Sequence, residues 1–209
     1  MKWEQFLARV RDLPVIEPES LTASDSSIRV QISRWEKARK LIKLKRGIYV
    51  LSEKYHKREI DEFHLAAVLK RPSYVSLEKA LEYHGLIPEG VPVFTSVTPK
   101  RQARFASDIG VFSYRHIKPA LFWGYFPVGR KDRAGFVASP EKAILDLFHF
   151  LGTRVSPGYI EELRLQNFEK MDVRRLLEYA GRFGQKKIRE AAGLLIRRVE
   201  EHREMGEDR

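Results

Sequence analysis

IRVQISRWEKARKLIKLKRGIYVL, residues 28–51, is the stretch that decides how this chain is read. At about 100° per residue, Ile28, Ile32 and Trp35 fall on one stripe, which predicts a helix packed by that edge on a neighbour. The opposite face carries Ser26, Arg29, Val30, Ser33, Arg34 and Lys37. Ser24 and Asp25 are both good N-caps, and the helix is expected to run to about Lys37 or Arg39. After it, Leu41–Lys45 and Ile48–Leu51 read as two short strands that meet at Arg46-Gly47. Upstream, Trp3, Phe6, Leu7 and Val10 have helical spacing within Trp3–Leu13, and Pro14 stops that helix. Glu19–Ala23 can add one or two turns. Helix, short helix, capped helix and hairpin, in that order, predict a winged helix-turn-helix over residues 1–53.

Charge is concentrated where this pattern lies. Within Ile28–Arg46, Arg29, Arg34, Lys37, Arg39, Lys40, Lys43, Lys45 and Arg46 face only Glu36, so 19 residues carry +7 of the chain's +11. Such a tract favours a polyanion partner. The outward face of the helix is more than a row of cations. Arginine can fork onto a guanine edge, serine can bond a base or a phosphate, and valine can meet a thymine methyl. These residues are therefore expected to read double-stranded DNA. Lys43, Lys45 and Arg46 in the hairpin suit backbone contacts beside the groove.

Composition narrows the remaining classes. The 209 residues allow one large domain or two small ones, and the 43% hydrophobic share is that of a globular protein. With no cysteine, disulfides and thiolate metal sites are excluded. The opening MKWEQFLARVRDL is not a signal peptide, and no stretch approaches the ~20 apolar residues of a membrane span. A cytoplasmic protein without membrane contact is expected. The six histidines show no metal-ligand spacing, so neither metal nor other cofactor is expected.

The polar tract Lys54–Arg58 reads as a linker into a second domain, residues 59–209. Helices are expected over Ile60–Leu69 and over Leu77–His84, the latter capped by Ser76 and closed by Gly85. Strands are expected over Val93–Thr98, Val111–His116, Trp123–Val128 and Phe136–Ala138, in a mainly antiparallel sheet. Ser139-Pro140-Glu141 opens a further helix, echoing Ser76-Leu77-Glu78. Helices near Tyr159–Leu165, Val173–Arg182 and Gln185–His202 follow, with Glu204–Arg209 expected to fray. The class is α+β. Thr98–Arg133 is a second basic tract, with eight cations against Asp108 and Asp132. Its aromatics, Phe105, Tyr114, Phe122, Trp123 and Tyr125, suit a core better than a stacking surface.

The segments Ile32-Ser33-Arg34-Trp35 and LIKLKRGIYV (41–50) resemble the winged-helix domain of the AbiEi family of antitoxin-type transcriptional regulators. The second half is similar to that family's C-terminal domain through YVSLEKALEYHGLIPE (74–89), TSVTPKR (95–101), FSYRHIKPALFWGY (112–125), ASPEKAILDL (138–147) and ELRLQN (162–167). Arg39 is a departure, since related winged helices often place glycine between the reading helix and the wing. The resemblance implies repression of the protein's own promoter and neutralisation of a nucleotidyltransferase-like toxin, a type IV toxin–antitoxin role in phage defence. Arg101, Arg104, Tyr114, Arg115 and His116, where the resemblance meets basic chemistry, are the candidate partner surface. Catalysis is not expected: Glu141 suits a helix dipole, and Lys142 with Asp146 suits an i,i+4 ion pair. The alternative is a nucleic-acid-processing enzyme whose winged helix delivers substrate, and a third reading is an interaction adaptor.

Overall fold

The structure is a computed structural model that describes residues 1–17, 28–56 and 60–207. The short helix expected over Glu19–Ala23, the caps Ser24 and Asp25, and Ser26 lie outside the described residues. Helix α1 (Trp3–Val10) stops a turn before Leu13, and α2 spans Ile28–Lys37. Strands β1 (Leu41–Lys45) and β2 (Ile48–Leu51) form an antiparallel hairpin with the bounds expected from sequence. One pairing was not foreseen. Ile16 exchanges both backbone hydrogen bonds with Tyr49, so the chain after α1 runs beside β2.

Trp3, Phe6, Val10, Ile16, Ile28, Ile32, Trp35, Leu41 and Leu51 make a compact core. Its centre is aromatic: Trp35 meets Phe6 at 4.6 Å and Trp3 at 5.2 Å between ring centroids. Aromatic contacts of this kind add about 0.5–1.5 kcal/mol beyond the area they bury. The stripe of α2 is therefore held from two sides.

The hairpin also has a second buried face. Leu41, Tyr49 and Leu51 point to the core just described, whereas Ile42, Leu44, Ile48 and Val50 pack into a larger core built by the rest of the chain. The register slips between Lys43 and Lys45, a bulge at Leu44. The expected division of the chain between 53 and 59 thus falls between two groups of buried side chains that share one hairpin.

The larger core surrounds a six-stranded sheet of order β5-β6-β4-β3-β8-β7. These strands are β3 (Tyr74–Val75), β4 (Val93–Thr98), β5 (Ala103–Ser107), β6 (Gly110–His116), β7 (Tyr125–Val128) and β8 (Gly135–Ala138). The class α+β holds, but the sheet is mixed: β4 with β6 and β3 with β8 are parallel pairs among three antiparallel ones. Alternation of apolar residues marks a strand without fixing its partner's direction. Here β5 folds back on the outer edge of β6, which leaves β6 parallel to β4.

Helix α3 (Glu62–Leu69) covers one face of the sheet, and Tyr114 on that face donates its hydroxyl to the Ala66 carbonyl at 2.7 Å. Gly135 allows the close approach, since a Cβ there would stand 2.5 Å from the Phe63 backbone. Helix α4 (Leu77–His84) ends at Gly85, whose φ of +69° suits a residue without Cβ. Helix α5 (Pro140–Phe150) lies on the other face, followed by α6 (Pro157–Glu162), α7 (Val173–Phe183) and α8 (Lys186–Glu207). The last helix continues through residues expected to fray, which include good helix formers.

The two similar helix starts do different work. Ser139 accepts the Lys142 amide as an N-cap, but Ser76 makes no capping bond and donates its hydroxyl to Asp146 at 2.8 Å. Asp146 also accepts from the Tyr74 hydroxyl and pairs with the Lys142 ammonium, and none of these side chains reaches solvent. The i,i+4 pair expected from sequence is thus a buried one that joins β3 and the start of α4 to α5. Burial pushes the Lys142 amine down and the Asp146 carboxyl up, so desolvation outweighs their attraction. Removing one partner alone leaves the other unpaired in a dry core. We expect Asp146→Ala to cost about 3–5 kcal/mol, and Lys142→Met with Asp146→Leu to cost clearly less. Urea titrations of the three proteins check this, and an Asp146→Ala chain as stable as the parent would remove the network from the fold's supports.

Candidate nucleic-acid interface

Helix α2 is pinned by its buried edge, and that fixes what it presents. Ile28, Ile32 and Trp35 are 4–7% exposed, while Arg29, Val30, Ser33, Arg34 and Lys37 all lie on the solvent side. Val30 is 54% exposed in the middle of these polar and cationic neighbours. Nothing in either core uses it.

The helix ends in a motif that its sequence disguises. The Lys40 amide bonds to the Trp35 carbonyl and the Arg39 amide to that of Glu36, both at 2.9 Å. This is the paired pattern of a Schellman cap, with Arg39 in the left-handed position at φ +53°. Glycine is preferred there because a Cβ is crowded in that conformation. The departure noted at Arg39 therefore leaves the turn in place and adds backbone strain to an exposed cation. Arg39→Gly should raise stability by about 1 kcal/mol, read from the denaturant midpoint. A fall would mean that the arginine side chain makes a contact worth more than its backbone costs.

The hairpin cations separate into two kinds. Lys43 and Arg46 are exposed, and Gly47 takes a φ of +78° to close the turn beside Arg46. Lys45 is not a free clamp. The bulge at Leu44 turns it toward the larger core, where its Nζ donates to the Leu69 carbonyl at 2.5 Å and lies 5.6 Å from the Phe105 ring. Burial first, and then Lys70, push its amine below the usual lysine value. A recess of about 980 Å3 runs between the end of α2, strand β1 and the β5–β6 turn; Lys37, Arg39, Lys43, Glu36, Glu53 and Asp108 are among its lining residues.

The second basic set is only partly on the surface. Arg101, Arg104, Arg115 and His116 are exposed, and His116 Nδ1 lies 3.0 Å from the Lys100 carbonyl. Register places Arg104 beside Ser113, hence on the same face of the sheet as Arg115, whose guanidinium sits 4.4 Å over the Phe150 ring of α5. This is the face opposite α3 and the hairpin. Tyr114 points the other way, is 1% exposed, and has its phenol pushed well up by burial. As a partner-surface residue it is a correction: strand alternation sends its neighbours outward and Tyr114 into the core. Trp123 is likewise buried, and Phe105, Phe122 and Tyr125 pack against the same core.

Glu141 is buried too. Its Oε1 accepts the Asp172 amide at 2.8 Å, so it ties α5 to the start of α7. Among the described residues no group of His, Asp or Glu is placed to hold a metal ion, and no helix is long and apolar enough to cross a membrane. No protein-family model matches the chain, and no curated protein matches it.

Sequence reasoning missed the Ile16–Tyr49 bridge, the inward turn of Lys45, and strand β5. The segment ARFAS of β5 alternates only one large apolar side chain with small and charged ones, which is a weak strand signal. Long-range pairing with β6 decides it.

Proposed function

We propose that this protein is a sequence-specific repressor that binds double-stranded DNA through a winged helix-turn-helix, with α2 as reading helix and the β1–β2 hairpin as wing. The single observation that carries the reading is the exposed face of α2, where Val30 stands among Arg29, Ser33, Arg34 and Lys37. An exposed valine flanked by arginines on one helix face suits a thymine methyl beside arginine-read guanines. The Ile16–Tyr49 bridge supports the reading as well, because it adds a third extended segment behind the wing. Ser26, outside the described residues, belongs to the same proposed surface by its position in the sequence.

The resemblance to AbiEi antitoxins extends the reading to a second activity, neutralisation of a nucleotidyltransferase-like toxin. We assign it to the face that carries Arg101, Arg104, Arg115 and His116. Because that face is turned away from α2, a chain seated on DNA can still present it. Glu141, Lys142 and Asp146 are enclosed and paired within the fold, so this reading gives them no catalytic role.

Two experiments test these assignments. In competition binding with DNA from upstream of the reading frame, Arg34→Ala should cost about 1–3 kcal/mol and relax sequence preference. Lys43→Ala should weaken matched and scrambled duplexes by one common factor. Preference altered by Lys43→Ala and untouched by Arg34→Ala would reverse the assignment of reader and clamp. For the second activity, charge reversal at Arg101, Arg104 and Arg115 should abolish growth rescue from the co-encoded toxin while holding operator affinity within about tenfold. Rescue that survives the three reversals would place neutralisation on another surface.

A further inference from the structure

Two turns, one from each side of the shared hairpin, meet at a recess of about 380 Å3. Arg46 and Gly47 at the hairpin tip form one wall, and Val68 and Arg71 at the end of α3 form another. The bond from Lys45 Nζ to the Leu69 carbonyl holds a third cation at the rim, next to Lys70. Glu17 is the one carboxylate in the lining. Among the described residues, Lys45, Arg46, Lys70 and Arg71 form no ion pair. The crowding is felt within the fold, since Lys70 and Arg71 both act on Lys45 against its charged form while Glu17 acts for it.

Folding has thus collected three cations, Lys45, Arg46 and Arg71, around one space, with Lys70 close enough to act on Lys45. Their mutual repulsion is a cost that an anion relieves. The ammonium of Lys45 has three donors and commits one to Leu69, which leaves two to turn toward a ligand. A Cβ placed on Gly47 would have nothing within 4 Å, so the hairpin backbone is open on that side.

We propose that this recess holds a backbone phosphate of the DNA duplex that α2 reads, so that the α3–β3 turn grips the DNA beside the reading helix. The inference rests on the DNA-reading assignment above. Continuity of charge favours duplex DNA over another polyanion. Exposed Lys37, Arg39 and Lys43 lead from the end of α2 along β1 to Arg46. A five-residue strand covers roughly 15 Å, and a duplex offers one phosphate per ~3.4 Å of axis on each strand. A duplex lying along α2 therefore carries several phosphates past the hairpin tip. Lys70 and Arg71 lie between the two basic tracts seen in the sequence, and only the fold brings them to the wing.

The test uses the full chain and salt titrations of binding to matched and scrambled duplexes. Lys70→Gln with Arg71→Gln should lose affinity by the same factor on both duplexes, and its slope of log K against log salt should be shallower by about 1, the share of one phosphate. Arg71→Lys, which keeps the charge, should retain the parent slope. Arg34→Ala serves as the reference for base reading. Unchanged affinity and slope in the double variant, with discrimination still lost in Arg34→Ala, would overturn the phosphate site and leave the reading helix standing. Absence of any preference for matched DNA in the parent chain would instead overturn the reading helix, and the phosphate site with it. Single-stranded RNA that competes with the parent but not with the double variant, while duplex binding is the same in both, would assign the recess to RNA and also overturn the proposal.

Discussion

The β1–β2 hairpin has no apolar face left over. Its outer residues, Leu41, Tyr49 and Leu51, close the core beneath α1 and α2, and Leu44, Ile48 and Val50 are fully part of the core beneath α3 and the six-stranded sheet. Burying three such aliphatic side chains is worth roughly 5–8 kcal/mol as an upper figure. That is comparable with the entire stability of an ordinary domain, ~5–15 kcal/mol. The polar tract at Lys54–Arg58 therefore joins two parts that also hold each other through a shared element. The hairpin is packed on both faces, and Lys45 near its tip bonds to the Leu69 carbonyl of the second part.

That constraint orders the charged surfaces. The buried edge of α2 is locked against Trp3 and Phe6, so its outer face has one orientation relative to the hairpin, and the hairpin has one relative to the sheet. Preorganisation of this kind lowers the entropy lost when a rigid duplex is bound. The same geometry puts Arg104 and Arg115 on the far side of the sheet. The two basic surfaces therefore face different ways.

Much of this was legible in the sequence, and what was not has a physical reason. The stripe Ile28, Ile32 and Trp35, the hairpin bounds and the stop at Gly85 are local patterns, and each stands as read. Lys142 and Asp146 were legible as an i,i+4 pair, but charged side chains are rarely enclosed, and full burial depended on Tyr74 and Ser76 arriving from 70 residues away. Ser76 looks like Ser139 in sequence; a buried carboxylate nearby takes its hydroxyl from the cap. Lys45 reads as a wing cation because alternation places it with Lys43, and the one-residue bulge at Leu44 reverses that placement. The parallel pairing of β4 with β6 was invisible for a related reason, since strand direction is set by connections and not by local pattern. The solvent side of α2, with Arg29, Val30, Ser33, Arg34 and Lys37, was legible from helical spacing, whereas the meeting of Arg46 with Arg71 required the fold.

If the protein reads DNA as proposed, the exposed face of α2 enters the major groove. The chain contains no cysteine, so Ser33→Cys supplies a single attachment point in the middle of that face. With an iron-chelate cleavage reagent on this thiol, the protein bound to DNA from upstream of its reading frame should cut both strands in one narrow major-groove window at each binding site, and random DNA should show no preferred window. The same reagent on Glu178→Cys, exposed on α7, should leave that window uncut. Cleavage from position 33 spread evenly along the duplex, or a focused window obtained only from position 178, would contradict the account.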